Sequence, residues 1–298
     1  MHVLITGGTG LIGSALCKAL ISEGHQISVW SRRPFKVPEI CGAAARGVAK
    51  LGELDDDSID AVVNLAGAPI ADRRWTEKRK RVLWDSRIKL TKALVAWLGE
   101  RASKPEVLIS GSAVGWYGDQ GAASVTEQSP PHPEYTHTLC DAWESAARPA
   151  DSYGIRVCLL RTGLVLAPNG GFLQRMLLPF KLGLGGPIGS GKQYMPWVHR
   201  DDMIGLIMLL LSDKDCRGPF NATAPHPVTN REFAETLGRS LGRPAVIPLP
   251  APLLKLGLGE MSRLLLTGQN AMPEKAQRAG YQFRFTHLQA ALADVLNH

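Results

Sequence analysis

The sequence predicts an α/β protein built on a doubly wound parallel sheet, with a smaller C-terminal lobe. Short β-branched runs alternate with helical periodicity through the first half of the chain, as in βαβ units. A glycine-rich turn follows the first of these runs. After about residue 163, Gly and Pro become frequent and helical segments outnumber strands.

The first half begins with a predicted strand at residues 2–6. The next helix has apolar residues recurring from Leu11 to Leu20, and Gly24 ends it. Residues 34–60 have no clear pattern. The remaining strands of this half are predicted at residues 26–31, 61–65, 107–110 and 156–160, with helices within 77–98 and at about 137–148.

The second half is predicted to be mainly helical. Thr229 and Glu232 form a capping-box pattern at the start of one helix. We therefore expect a nucleotide-binding domain of residues 1–165 and a smaller substrate-side lobe of residues 166–298, with some exchange of strands between them. The helices of the second lobe are predicted at about residues 201–211, 230–241, 252–266 and 287–296.

Composition indicates a soluble globular protein. The chain has 298 residues, of which 45% are hydrophobic and 20% charged, so large-scale disorder is not expected. Its formal net charge of +7 suggests an acidic partner: nucleic acid, an anionic membrane or a phosphorylated small molecule. The basic run at residues 73–81 has few aromatic residues for base stacking, so we interpret it as a solvated helix face and expect no nucleic-acid partner.

Cysteine usage and hydropathy favour a cytoplasmic location. The five cysteines include no C-x-x-C pair, so neither a metal site nor dithiol chemistry is predicted. The apolar N-terminus lacks the basic segment and cleavage site of a signal peptide. The longest later apolar run, residues 204–211, is too short to span a bilayer, so no membrane association is expected.

The segment TGGTGLIG, residues 6–13, is predicted to bind phosphate. It lies between a strand and a helix, where Gly8 and Gly10 would permit a tight turn and Gly13 would let the helix pack closely on the strand. The helix N-terminus would favour an anion. An ordinary glycine turn is the alternative. The candidate cofactor-binding residues of this loop are Gly7, Thr9, Gly10, Leu11, Ile12 and Gly13.

The end of the second strand indicates which dinucleotide would bind. NAD-specific sites have an acidic residue there for the ribose 2′-hydroxyl, whereas this chain has Ser31, Arg32 and Arg33. A guanidinium group can bind a 2′-phosphate through two hydrogen bonds. NADP(H) is therefore the predicted cofactor, the alternative being that both arginines are solvated loop cations.

These motifs resemble the extended short-chain dehydrogenase/reductase superfamily and its NAD-dependent epimerase/dehydratase group. Besides the glycine loop, NLAG at residues 64–67 is similar to its N-x-A-G element, and SGSA at residues 110–113 to its serine motif. The resemblance implies a Rossmann-type fold and adds Leu65, Ala66, Gly67, Ser110 and Leu164 to the cofactor-binding candidates. A narrower likeness, to an epimerase-like branch without an assigned substrate, also rests on SRRP and on GPIGSGKQYMPWVH.

The chain departs from the superfamily at its catalytic pair. Members use a Tyr whose pKa is lowered by a Lys four residues later, but no Y-x-x-x-K occurs here. Alignment on Glu144 places Thr136 and Cys140 at the two positions, and a shift by one to Tyr135 gives Leu139 as its partner.

The catalytic candidates are therefore Ser112, which could orient a substrate oxygen, and Tyr135. Tyr117 and His137 are weaker alternatives for acid or base chemistry. Where the superfamily has an Asn, this chain has Arg87, which we interpret as a contact to the cofactor or to an acidic substrate, with a surface salt bridge as the alternative. His199 is interpreted as a structural residue.

Two functions are consistent with these observations. The first is an NADP(H)-dependent oxidoreductase or epimerase acting on a small carbonyl, alcohol or nucleotide-sugar substrate, with an anionic substrate among the options. The second is a non-catalytic NADP(H) sensor that has lost the Tyr and Lys pair. The sequence leaves the substrate and the oligomeric state open.

Overall fold

The computed structural model describes residues 1–297 and contains one large parallel sheet between two layers of helices. The strands are β1 (His2–Thr6), β2 (Gln26–Trp30), β3 (Arg46–Val48), β4 (Ala61–Asn64), β5 (Val107–Ala113), β6 (Ser124–Val125), β7 (Arg156–Thr162), β8 (Leu164–Leu166), β9 (Tyr194–Met195), β10 (Trp197–His199), β11 (Gly218–Ala222), β12 (Val228–Thr229) and β13 (Asn270–Ala271). Seven of them form the large sheet in the order β11-β7-β5-β4-β1-β2-β3, which confirms the predicted Rossmann-type fold.

The helices cover both faces of the sheet and build most of the smaller lobe. A π-helical segment, Asp85–Lys89, joins the third helix to the fourth. The α-helices are α1 (Leu11–Ser22), α2 (Val37–Cys41), α3 (Glu77–Trp84), α4 (Leu90–Glu100), α5 (Tyr135–Ala147), α6 (Gly171–Lys181), α7 (Arg200–Ser212), α8 (Asn230–Ser240), α9 (Ala251–Leu258), α10 (Arg263–Leu266), α11 (Glu274–Arg278) and α12 (Leu288–Leu296). Within residues 1–297, none of the helices combines the length and apolarity needed to span a bilayer.

The central strand β1 is buried on both faces. Val3 and Ile5 point to one side, where they share a core with Leu16 of α1, while Leu4 points to the other and packs in the core that contains Leu94 of α4. Successive side chains of a strand face opposite sides of the sheet, so a strand covered by helices on both faces must be apolar throughout. This explains the uninterrupted apolar run of the first strand.

The smaller lobe has its own apolar core. Helices α6, α8 and α12 contribute Leu173, Phe233 and Leu292, which pack around the fully buried Trp197 of β10. The capping box predicted for α8 is partly seen, because the Thr229 hydroxyl accepts a hydrogen bond of 3.2 Å from the Glu232 amide.

The chain does not stay in the smaller lobe after leaving the large sheet. Helix α7 packs Met203 and Ile207 into the same core as α1, and β11 pairs with β7 as the seventh strand of the large sheet. The division at residue 165 stays a prediction. We propose that the nucleotide-binding part also includes residues 200–222, which is the exchange between lobes that we expected.

Some predicted elements differ in detail. The helix expected at residues 252–266 is interrupted, because Gly259 adopts a left-handed φ of +58° after α9 and a 3₁₀ turn leads into α10. Strands β3 and β11 and helix α6 were not predicted. β3 is only three residues long, and α6, which contains Pro179, lies before residue 201, where the first helix of the smaller lobe was predicted.

Candidate functional site

The glycine loop lies at the carboxyl end of β1 and packs closely against α1 and against the segment that follows β4. Gly7 has a φ of +70°, and a Cβ there would lie 2.7 Å from the carbonyl carbon of Leu65. A Cβ on Gly13 would lie 2.3 Å from the Gly7 oxygen. Both positions therefore require glycine, one for its backbone conformation and one for the close packing of α1.

Gly8 and Gly10 lie in a tight turn, as predicted, because the Gly10 amide donates a 2.9 Å hydrogen bond to the Gly7 carbonyl. The left-handed residue is Gly7, whereas Gly8 is buried against Val29 and Gly10 caps α1 with an extended backbone. Thr9 and Gly10 are exposed, so the loop and the first amides of α1 face the open edge of the sheet. The first N–H groups of a helix have no intrahelical acceptor and can bind an anion.

Arg32 and Arg33 lie beside this loop. The last residue of β2, Trp30, is in register with Thr6 of β1, which places the two arginines and the glycine loop at the same edge of the sheet. The Ser31 hydroxyl accepts a 3.1 Å hydrogen bond from the Arg33 amide. Both arginine side chains are exposed, and neither forms an ion pair in the described part of the chain, residues 1–297.

A buried hydrogen-bond network connects the ends of β1, β4 and β5. The Thr6 hydroxyl donates to Asn64 Oδ1 at 2.6 Å and accepts from the Ala66 amide at 3.2 Å. Asn64 Nδ2 donates to the hydroxyls of Ser110 and Thr91 at 3.1 and 2.8 Å. Ser110 is fully buried, so its side chain acts in this network, which fixes the segment Leu65–Gly67 against the glycine loop.

Arg87 lies in the π-helical segment and packs directly against Gly67. A Cβ on Gly67 would lie 2.9 Å from Arg87 Cζ, and Arg87 Nη1 donates to the Ala68 carbonyl at 3.0 Å. Its guanidinium group lies 5.1 Å from the Trp143 ring, and burial lowers the pKa of Arg87. Among residues 1–297 it has no carboxylate partner, so the expected alternative of a surface salt bridge is not seen. π-helical turns often occur at functional sites.

A cavity of about 720 Å³ lies between the carboxyl edge of the large sheet and the smaller lobe. The predicted cofactor residues Leu11 and Leu164 line it, but the predicted catalytic residues Ser112 and Tyr135 do not. The cavity is therefore adjacent to the glycine loop, and its wall includes residues from α5, α6, β9 and α10.

Ser112 faces the interior of the protein. It is 3% exposed, and its hydroxyl donates a 2.8 Å hydrogen bond to Glu144, whose carboxylate is also bound by Arg161. Tyr135 packs against Trp75, with ring centroids 4.8 Å apart, and burial raises its pKa. Their catalytic roles stay predictions, and a role for Ser112 would require its hydroxyl to leave Glu144.

The other acid and base candidates make structural contacts. The Tyr117 hydroxyl donates to Asn221 Oδ1 at 2.7 Å, and burial raises its pKa to about 12. His137 Nδ1 lies 2.7 Å from the Trp116 carbonyl oxygen. His199 caps α7 by accepting a hydrogen bond from the Asp201 amide, as expected of a structural residue.

Comparison with known proteins identifies the family. Residues 3–222 match the model of the NAD dependent epimerase/dehydratase family. The chain belongs to this family. Residues 249–295 match a domain of unknown function. Epimerase family protein SDR39U1 of Mus musculus is 38% identical across 99% of this chain and 100% of its own length.

Solved structures agree with this epimerase/dehydratase assignment. The crystal structure of human epimerase family protein SDR39U1, isoform 2, with NADPH covers 100% of this chain and 99% of its own, at 37% identity and a TM-score of 0.90. UDP-glucuronic acid 4-epimerase from Bacillus cereus, in complex with UDP-glucuronic acid and NAD, covers 100% and 99% at 18% identity and a TM-score of 0.80. At that identity, the second match shows the fold alone.

The positions of the superfamily's catalytic pair line the cavity in this epimerase/dehydratase family protein. Thr136 and Cys140 both contribute to its wall. Burial, together with the negative charge of Glu144, raises the pKa of Cys140 to about 12, so the thiol stays protonated near neutral pH. A protonated thiol is neutral, so Cys140 does not supply the positive charge with which the lysine lowers the pKa of the tyrosine hydroxyl.

The sequence analysis missed three charged groups of the cavity wall, Asp72, Glu134 and Arg263. Glu134, directly before α5, accepts a 2.6 Å hydrogen bond from the Thr136 hydroxyl and is bound by Arg263 through contacts of 2.6 and 3.0 Å. Asp72 and Arg175 form a second pair. In each pair the partners are more than 100 residues apart in the chain, so no local pattern could have indicated them.

Proposed function

We propose that this protein binds NADP(H) at the glycine loop and exchanges hydride with a small molecule held in the adjacent cavity. The exposed Arg32 and Arg33 beside the loop carry this proposal, because the acidic residue of an NAD site is replaced there by two cations. The NADPH in the crystal structure of human SDR39U1, 37% identical to this chain, supports it.

The residues present fit a phosphorylated dinucleotide. Gly7 and Gly13 allow the close backbone packing that shapes the loop, and the amides at the start of α1 would bind the pyrophosphate. Arg32 and Arg33 would bind the 2′-phosphate. Leu65–Gly67, which follow β4, and Arg87, which packs against Gly67, would contact the part of the cofactor that lies beyond the pyrophosphate.

The chain's own residues would have to move the proton that accompanies hydride exchange. When bound, NADP(H) supplies or accepts the hydride. Thr136 lines the cavity, and its hydroxyl donates a hydrogen bond to the Glu134 carboxylate. A substrate hydroxyl that took the place of the Thr136 hydroxyl would donate to the same carboxylate. We propose this pair as the route for the proton, with Ser112 as the earlier candidate for orienting the oxygen.

A non-catalytic NADP(H) sensor is the second candidate. The observation that favours it is the occupation of the two catalytic positions by Thr136 and the protonated Cys140. The same dinucleotide site would then regulate an interaction with another molecule, without turnover.

Two measurements test these functions. Fluorescence titration with NADPH and NADH tests the cofactor, and equal affinities would contradict the proposed role of the arginines. Oxidation of NADPH in the presence of carbonyl compounds and nucleotide sugars tests turnover. Turnover that Thr136→Val or Glu134→Gln abolishes supports the enzyme, whereas tight NADPH binding without turnover across the panel supports the sensor.

A further inference from the structure

The charged groups of the cavity wall neutralise each other. All lining residues belong to the described part of the chain, and the charged ones among them are two arginines and two carboxylates. Arg263 is bound to Glu134 through Nε and Nη2. Arg175 is bound to Asp72 and also donates to the Ala71 carbonyl at 2.8 Å. Neither guanidinium group is thus free of a carboxylate.

Three of the four side-chain amides of the wall are engaged in hydrogen bonds, and the fourth, Gln174, is exposed. Gln193 Nε2 donates to the carbonyls of Ile188 and Leu265 at 3.0 and 2.7 Å. Gln269 Nε2 donates to the Gly118 carbonyl at 2.7 Å. Asn230 accepts from the Ile188 amide at 2.7 Å. These side chains hold the wall together, so using them to bind a phosphate would break existing hydrogen bonds.

The rest of the wall is largely apolar. Side chains from both lobes face the cavity, and Gly171 at the N-terminus of α6 packs against Leu11 of the glycine loop, on the cofactor side. Its apolar side chains include Ile70, Val114, Phe172, Met195, Leu264 and Leu265.

We infer that the substrate of this cavity is a neutral, predominantly apolar carbonyl or alcohol compound that carries no phosphate. This inference rests on the proposed function and specifies its substrate class. Burying a charged group costs free energy unless it is paired, and a pyrophosphate would find both guanidinium groups already occupied. A cavity of about 720 Å³ is large enough for a small organic molecule. On this inference, nucleotide sugars bind in this cavity less tightly than neutral ketones, because each guanidinium group of the wall already has a carboxylate partner.

Calorimetric titration of the NADPH-saturated protein tests the inference. The neutral probes are 2-decanone and acetophenone, and the anionic probe is UDP-glucose. We expect saturable binding of at least one ketone, with a dissociation constant at least about tenfold below that of UDP-glucose. Binding of UDP-glucose as tight as that of the better ketone overturns the inference, and so does the absence of saturable binding by both ketones.

A variant that binds UDP more tightly provides a second test, because misfolding would weaken binding and not strengthen it. Glu134→Gln removes the carboxylate from Arg263, which leaves Asp119, at 3.9 Å, as the remaining carboxylate partner among residues 1–297. We expect UDP to bind this variant about fivefold more tightly than the wild type. Glu235→Gln, on the wall of a separate surface hollow, is the matched control and should leave UDP binding unchanged. Equal UDP affinity of Glu134→Gln and wild type contradicts the inference.

The two proposals fail in different ways. If the protein does not bind NADPH in a titration without any substrate probe, the proposed function fails. If NADPH binds but UDP-glucose competes successfully with the ketones, the cofactor assignment stands and the substrate class is wrong.

Discussion

Arg161 and Glu144 form a buried ion pair behind the candidate site. Arg161 Nε and Nη2 donate to the two carboxylate oxygens of Glu144 at 2.8 and 3.1 Å, and their side chains are 2% and 0% exposed. The guanidinium group also stacks on Trp116 at 3.5 Å. The pair joins β7 to α5, and therefore fixes the helix that carries Thr136 relative to the sheet.

Removing one partner of this pair should destabilise the fold strongly. Glu144→Ala leaves Arg161 buried without its carboxylate, and we expect the free energy of unfolding to fall by about 3–5 kcal/mol. Urea denaturation monitored by circular dichroism measures this. The exposed Glu235→Ala is the control, with an expected change within about 0.5 kcal/mol. A loss below 1 kcal/mol for Glu144→Ala would mean that water reaches the pair.

Arg32 should determine the preference for NADPH. A hydrogen bond to a charged group contributes about 1.5–3 kcal/mol, so Arg32→Ala should weaken NADPH binding by about 10- to 100-fold. The affinity for NADH, which lacks the 2′-phosphate, should stay the same and serves as the internal control. Equal losses for both dinucleotides would indicate damage to the loop and would contradict a specific phosphate contact.

Two glycine-to-alanine substitutions should change the free energy of unfolding in opposite directions. In Gly13→Ala, the new Cβ would meet the Gly7 oxygen at 2.3 Å and displace the loop, so NADPH binding and stability should both fall. Gly257→Ala lies in α9, where, apart from the adjacent residues and the backbone of the same helix, no atom of residues 1–297 lies within 4 Å of the added Cβ. It should raise the free energy of unfolding by about 0.5–1 kcal/mol, because alanine favours a helix. Thermal denaturation and NADPH titration of both variants check this contrast.

Tyr117 should make stability fall at alkaline pH. Its pKa is raised to about 12 in the folded protein, mainly by burial, while the unfolded chain loses this proton near pH 10. Between these values the folded state binds more protons, so the stability contributed by this group is complete below about pH 10 and is lost as the pH rises towards 12. Tyr117→Phe should be less stable at pH 8 but show a shallower decline above pH 10. An identical pH slope in both proteins would contradict this.

The sequence was most informative where local chemistry is specific. The order of strands and helices followed from periodicity, and the glycine loop from its spacing, because both depend on neighbouring residues. The spacing of the loop did not show that Gly7 takes the left-handed conformation, nor that the backbone of Leu65 would pack against Gly7. Sequence motifs cannot show which backbone will come close.

The cavity required tertiary structure. Ser112 lies at the expected motif, but the direction of its hydroxyl depends on Glu144, which is 32 residues away. Glu134 and Arg263 meet only because α10 returns to the sheet edge. Such contacts between distant parts of the chain have no local pattern. Sequence analysis therefore proposed candidate residues such as Ser112, but not the ion pair of Glu134 and Arg263 in the cavity wall.

The late position of β11 in the chain has a consequence for biosynthesis. Until residues 218–222 have left the ribosome, β7 is an edge strand with its backbone hydrogen-bonding groups unpaired, and the apolar surface of α1 that α7 covers is exposed. An emerging chain of about 200 residues is therefore the species most prone to aggregate, and the one in which a chaperone would have the most surface to bind.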